Sequence, residues 1–268
     1  MKKSALCLIC TLGTLTVLTG FHSATAAELK AVRVNEGPKV DGLLTDTVWQ
    51  SASAVTGFRM VEPRPGEDPS EKTEARVLYD DTSLYIGVYC YDSEPARISA
   101  NTMAHDSGNV QTYMGYGHGP QTASDDVVRV LLDPFQDKRN AYVFFVNSRG
   151  ARGEGLAYTG SSSLNWDGIW EAASRRLEDG WSTEIRIPFK TISFRPGLTV
   201  WGLNIERTIA RKMEVIRLSG TTRDSNFNNP NEAAAMAGIE GVKQGLGITF
   251  RPYGLASASK DNLVSGAY

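Results

Sequence analysis

Cysteine is scarce: a chain of 268 residues contains three, and two of them, Cys7 and Cys10, fall in an amino-terminal stretch patterned like a secretory leader. Lys2 and Lys3 precede an uncharged run from Ala5 to Gly20, and the small residues Ala24-Thr25-Ala26 follow. The run is broken by threonines and falls short of the roughly 20 mainly apolar residues of a membrane helix. Residues 1–26 therefore read as a signal peptide cleaved near Ala26. Cys10 lies inside the apolar run, upstream of that point, so no lipid anchor is expected. Cys90 is then the single mature cysteine, which excludes an intramolecular disulfide in the oxidising compartment that export implies. Stability has to come from a core.

An excess of one charge is also lacking. Lysine and arginine number 28 against 30 aspartates and glutamates, and the loss of Lys2 and Lys3 leaves the mature chain at about -4. A nucleic-acid binder usually shows a basic surplus, so the balance removes the electrostatic reason to expect one, and no nucleic-acid partner is expected. Histidine is rare as well: beyond the leader only His105 and His118 remain, and with one cysteine they supply no zinc spacing. No GxSxG elbow occurs, and a Ser-His-Asp set would have to draw its histidine from a glycine-rich loop, a poor place for preorganised chemistry. Long helical patterns are missing too, with only Asp46–Ala54 and Asn231–Ala237 reading as short helices.

What the chain does have is alternation. TEARVLY puts Ala75, Val77 and Tyr79 on one face, and SLYIGVYCYD puts Leu84, Ile86, Val88 and Cys90 together. The polar Asp80-Asp81-Thr82 between them reads as a hairpin turn. DDVVRVLLD, NAYVFFVNS, GWSTEIRIP and TVWGLNIERTIA are further strands, rich in β-branched and aromatic residues. The fold class expected is all-β: a sandwich of two antiparallel sheets, jelly-roll or immunoglobulin-like, with one or two short helices. It should span residues 27–241. Residues 242–268 read as a linker followed by GLGITFRPYGLA, where Leu246, Ile248 and Phe250 alternate with Gly247, Thr249 and Arg251. That pattern suits an edge strand or the first strand of a following membrane barrel.

VDGLLTDTVWQSA, LYDDTSLYIGVYCYDSEP, DDVVRVLLDPFQDKRNAYVFFVNSRG, WDGIWEAASRRLEDGWSTEIRIPFKTI and WGLNIERTIAR stand in this order between Ala31 and Gly241. Together they resemble a family 9 carbohydrate-binding module. The closer resemblance is to the exported amino-terminal domain of bacterial proteins that continue into an outer-membrane β-barrel. The resemblance implies a β-sandwich that binds sugar, often beside a glycoside hydrolase, with calcium sometimes supporting the sandwich. It implies a saccharide partner, a barrel domain or protein as a second partner, and a place in the periplasm or at the outer membrane.

Sugar modules stack aromatic faces on the C–H surface of a ring and fix its hydroxyls with amides, carboxylates and guanidinium groups. Trp166, Asp167 and Trp170 in SSSLNWDGIWE stand in a polar, flexible context that suits this task. The competing expectation is that Trp170 opens a strand and packs inward while Trp166 lids the end of the sandwich. Trp49, Trp181 and Trp201 adjoin regular elements and read as core, with Trp49 dropped onto one end by the Asp41-Gly42 turn. Tyr113 and Tyr116, in the glycine-rich loop from Met103 to Ser124, are candidates for one wall of a cleft, and the loop reads equally as a mobile surface flap. Arg139 and Asn147 bracket a strand within reach of sugar hydroxyls, while Asn147-Ser148-Arg149-Gly150 reads also as an ordinary turn. Asn204 and Glu206 share the face opposite Leu203 and Ile205, as Glu184 and Arg186 do opposite Ile185 and Ile187, so the two strands either offer polar groups on one surface or form solvated salt bridges.

No cofactor is required by these residues. Calcium stays open, because Asp80, Asp81, Asp125, Asp126 and Asp133 are hard oxygen ligands near strand ends, although none has EF-hand spacing. The leading expectation is an exported, non-catalytic carbohydrate-binding domain that assists polysaccharide breakdown or uptake. The alternatives are a periplasmic plug or structural module of a barrel protein, and a glycoside hydrolase, which needs only two carboxylates facing a cleft.

Overall fold

The computed structural model describes residues 29–101, 103, 124–159, 161–222 and 224–245. The expected leader, the loop tyrosines Tyr113 and Tyr116, and the alternating segment from Leu246 onward lie outside the described residues. In chain order the strands are β1 (Leu29–Lys30), β2 (Val32–Arg33), β3 (Arg59–Glu62), β4 (Thr73–Tyr79), β5 (Ser83–Tyr91), β6 (Val127–Asp133) and β7 (Asn140–Asn147). They continue as β8 (Arg152–Tyr158), β9 (Ser161–Ser163), β10 (Glu171–Leu177), β11 (Gly180–Pro188), β12 (Val200–Ile209), β13 (Glu214–Arg217) and β14 (Ala234–Ala237). Among the described residues, a nine-stranded sheet runs β1-β14-β12-β6-β7-β8-β9 with β13 and β3 branching from β12, and a five-stranded sheet runs β10-β11-β5-β4-β2.

The alternation read from the sequence decides which faces meet. Ala75, Val77 and Tyr79 of β4 and Leu84, Ile86, Val88 and Cys90 of β5 face Val128, Val130, Leu132, Phe144, Leu203 and Ile205 across one core. In the expected hairpin Thr73 stands opposite Cys90 and Tyr79 opposite Leu84. Asp80 closes its turn, with Oδ1 accepting from the Thr82 and Ser83 amides at 2.7 and 2.8 Å, the usual role of an aspartate in a tight turn. Trp181 and Trp201 are fully enclosed in this core.

Three expectations need correction. The sheets are mixed, because β1 adds to β14 and β2 adds to β4 in parallel. An incoming terminal segment is not held by a hairpin, so nothing forces it to run antiparallel. Residues 231–237 are not a helix: a single 3-10 turn at Pro230–Glu232 leads into β14, where Met236 faces the core opposite Trp201. A short alanine run cannot sustain a helix without packing, and the amino-terminal half of β12 offers it strand hydrogen bonds instead. The Asp46–Ala54 stretch contains a 3-10 helix at Thr47–Ser51, but Trp49 does not cover an end of the sandwich. It lies on the outer face of the five-stranded sheet with Leu78 and Tyr85, against Gly87, where an added Cβ would come within 2.9 Å of the indole.

Candidate functional site

Between β9 and β10 the chain crosses the inner side of β7 and β8. Trp170 is buried with its ring edge-on to Phe144 at 5.0 Å, and the Arg152 guanidinium lies 5.3 Å over it. Trp166 is half-buried, 4.8 Å from the Tyr142 ring and 5.8 Å from Phe144. Gly168 makes this approach feasible, since a Cβ there would sit 2.6 Å from Trp166 Cη2. The Thr191 hydroxyl donates to the Ile169 carbonyl at 2.5 Å, the Gly168 amide donates to Glu154 at 3.2 Å, and the Tyr142 hydroxyl accepts from the Ser193 amide at 2.9 Å. The loop is thus pinned on both sides. The consequence is that Ile169, between two glycine- or tryptophan-filled positions, is held half exposed.

Ile169 opens onto a cleft of about 480 Å³, within the size range of small-ligand sites. The cleft is lined at one side by Asp81, Thr82 and Ser83 of the β4–β5 turn, and at the other by Glu171 of β10 and Arg186 and Pro188 of β11. Lys190 and Lys243 stand at the same cleft. Arg186 is oriented by two neighbours: its Nε donates to Ser83 Oγ at 3.1 Å and its Nη1 to Glu171 at 3.3 Å. Asp81 is paired with Arg33. An apolar floor flanked by fixed donors and acceptors can hold a ring with hydroxyl groups.

The residues singled out from the sequence do not converge. Trp166, Asp167 and Trp170 belong to the loop that shapes the cleft, with Asp167 exposed and Trp170 packed in the core. Arg139 is exposed at the start of β7, where its main chain is held by Asp137. Asn147 lies at the far end of that eight-residue strand, roughly 24 Å away by strand rise. It is buried, with Nδ2 donating to Asp125 at 3.0 Å and Oδ1 accepting from the Arg149 and Ala151 amides.

Asn204 and Glu206 do face away from the main core, as their alternation indicates, yet they are buried. Asn204 exchanges hydrogen bonds with the Ser219 main chain at 3.0 and 3.1 Å. Glu206 sits between cross-strand neighbours Arg129 and Arg217, accepting at 2.7 Å from the first and at 2.8 and 2.5 Å from the second. Phe227 covers the group, with its ring centroid 4.3 Å from the Arg129 guanidinium and 5.6 Å from that of Arg217. Burial alone would push the Glu206 carboxyl up, but the two arginines outweigh it and hold the group below its usual range. Nor do Glu184 and Arg186 share a surface with Asn204 and Glu206: β11 and β12 belong to different sheets, and the two faces look in opposite directions. The Trp49 segment covers Glu184, whereas Arg186 lines the cleft.

The five aspartates considered for calcium each serve the main chain or an arginine. Asp80 closes the β4–β5 turn, Asp81 meets Arg33, Asp125 accepts from the Asn101 amide at 2.7 Å, Asp126 from Ser99 at 2.7 Å, and Asp133 from Phe135 and Lys138 at 3.1 and 3.0 Å. Among the described residues no three His, Cys, Asp or Glu side chains gather as a metal site would require. Ile169, Glu171, Lys190 and Lys243 were not singled out in the sequence. The one cue to Ile169 was a large apolar residue beside a glycine in an otherwise polar loop, and nothing local distinguishes the two lysines.

Residues 40–233 match the family model described as carbohydrate family 9 binding domain-like. No curated protein matches the chain. Among solved structures, a family 9 carbohydrate-binding module from Caldicellulosiruptor kristjanssonii in complex with glucose is 16% identical, with a TM-score of 0.52 over 80% of this chain and 96% of that one. The structure of a family 9 module from the same organism with cellotriose is 15% identical, with a TM-score of 0.53 over 83% of this chain and 100% of that one. A Bacteroides uniformis protein, 12% identical, gives 0.55 over 78% and 97%. These likenesses show a shared β-sandwich. Because the family match takes in most of both sheets and well over half of the sequence, the chain belongs to the carbohydrate family 9 binding domain-like family.

Proposed function

We propose that this domain binds a saccharide without transforming it, in the cleft between the β4–β5 turn and the start of β10. The observation that carries the reading is the family match over residues 40–233; the solved relatives bound to glucose and cellotriose support it. The cleft has a half-exposed Ile169 to meet a sugar's C–H face and Glu171 and Arg186 to meet hydroxyls. A non-catalytic role is favoured because both carboxylates of the cleft are committed to arginines, Asp81 to Arg33 and Glu171 to Arg186, whereas glycoside hydrolysis needs one carboxyl as acid and another as base or nucleophile. Export to the periplasm or outer membrane is part of the proposal, and what supports it is the lysine-led apolar leader ending at Ala24-Thr25-Ala26. A following barrel is supported by the alternation from Leu246 to Phe250.

A glycan array probed with the domain from Glu28 to Gly245 tests the binding. Binding to at least one saccharide family is expected, without release of reducing ends, and Ile169→Asp should abolish it while the melting temperature holds. Silence of the folded wild-type domain on every glycan overturns the reading.

A further inference from the structure

The charges of the cleft do not balance locally. Arg186, Lys190 and Lys243 line it against Asp81 and Glu171. The two carboxylates are already engaged, Asp81 by Arg33 from outside the lining and Glu171 by Arg186 at 3.3 Å. Among the described residues no carboxylate pairs with the ammonium group of Lys190 or of Lys243. Arg186 is itself held in place through Nε and Nη1, while its Nη2 has no hydrogen-bond partner among the described residues. Oriented guanidinium and unpaired ammonium groups at one concave surface recognise a carboxylate better than a hydroxyl.

We propose that the cleft takes an acidic saccharide, an oligosaccharide bearing a uronate carboxylate. The sugar ring lies on Ile169, and the carboxylate points to Arg186 Nη2 with Lys190 and Lys243 around it. A free inorganic anion would satisfy the cations but leave the apolar floor unused. A neutral sugar would use the floor but leave the cations unpaired. An acidic sugar answers both. The inference rests on the saccharide-binding reading above and adds the ligand class to it.

Titration of the domain with oligogalacturonate, with cello-oligosaccharide of equal length, and with inorganic phosphate separates the cases. Oligogalacturonate is expected to bind most tightly, to weaken as salt rises, and to lose roughly tenfold in affinity in the double variant Lys190→Gln/Lys243→Gln, two exposed ion pairs being worth a few-fold each. Both lysines are exposed, so the variant should melt with the wild type. Equal or tighter binding of the neutral oligomer, unaffected by the double variant, overturns the acidic specificity and leaves the saccharide reading standing. Phosphate that competes as well as the oligomer, or acidic binding indifferent to the lysine changes, also overturns the inference. Failure of every saccharide on a folded domain removes both readings together.

Discussion

The indole N–H of Trp49 donates to Glu184 Oε1 at 2.8 Å, across 135 residues of sequence, while Glu184 Oε2 accepts from the amides of Asp41 and Gly42 at 2.9 and 2.8 Å. One carboxylate thereby fastens a whole segment to the outer face of the five-stranded sheet. Glu184→Ala should destabilise the domain by about 2 to 4 kcal/mol, because three donors in a buried setting lose their acceptor. Glu184→Gln should also destabilise, since an amide must turn an NH2 towards N–H groups that need an oxygen. Urea melts of the three proteins check this; a glutamine variant as stable as wild type would show that the carboxylate is not acting as acceptor at both oxygens.

Trp166 and Trp201 separate the loop from the core. Trp201→Ala should cost about 3 to 5 kcal/mol, as for any enclosed aromatic ring. Trp166→Ala removes a half-buried ring and its contacts with Tyr142 and Phe144, a smaller loss of about 1 to 3 kcal/mol. It should also weaken saccharide binding by releasing the loop that presents Ile169. Thermal melting with glycan titration on both variants is the measurement, and an unfolded Trp166→Ala with a folded Trp201→Ala would reverse the assignment.

Asp126 sets a dependence on pH. Burial is the main cause that pushes its carboxyl up to about 6, with the Asp92 charge adding to it and the Ser99 and Ala210 amides and Arg207 opposing. An unfolded aspartate titrates near 3.9. The stability this group contributes is present below that value and is lost as pH rises through about 6, a change of ~3 kcal/mol. Glu71 acts in the opposite sense: burial raises it, but hydrogen bonds from Lys212 and Ser93 prevail and hold it at about 2, so its contribution is lost as pH falls below about 4.5. Asp126→Asn should therefore be more stable than wild type at pH 7.5 and lose that advantage near pH 4. Denaturant melts at the two values decide it, and a constant difference between the proteins would mean that Asp126 titrates normally.

Cys90 should behave as a small core residue. It is fully enclosed in β5, and burial pushes its thiol up to about 12. A thiol reagent at pH 8 should label the unfolded chain quickly and the native one only as fast as it opens, and reductant should leave the melting temperature unchanged. Rapid native labelling would contradict the register of β5 against β4.

Alternation made the inner faces legible, down to the turn at Asp80, because period two fixes side-chain direction whatever lies above the sheet. The same rule put Asn204 and Glu206 on the side away from the core, which is where they are. What it could not say is that the outer faces are covered too, one by the Trp49 segment and the other by Phe227, since those contacts join residues far apart in the chain. Partition of strands between sheets was likewise hidden, so Arg186 and Glu206 looked like neighbours. The β14 alanines misled because local propensity favours helix, while the partner that overrules it, Trp201 on β12, precedes them by more than thirty residues. The cleft drew on the turn after β4, the ends of β10 and β11, and Lys243, a set no local pattern could assemble.

The short strands β1 and β2 have only Ala31 between them, yet one joins the nine-stranded sheet and the other the five-stranded sheet. Both lie near the other end of the domain: the Ala31 amide reaches the Ala237 carbonyl at 2.9 Å, and Arg33 reaches the Glu240 carbonyl at 3.1 Å. A pull that draws the amino end of β1 one way and the carboxyl end of β14 the other acts along two parallel neighbours. It loads their hydrogen bonds in shear, all at once, where antiparallel partners pulled from the same two ends would unzip one by one. Tethered at both ends, such a domain would resist tension through its first few residues, and a cut there would loosen two sheets with a single break.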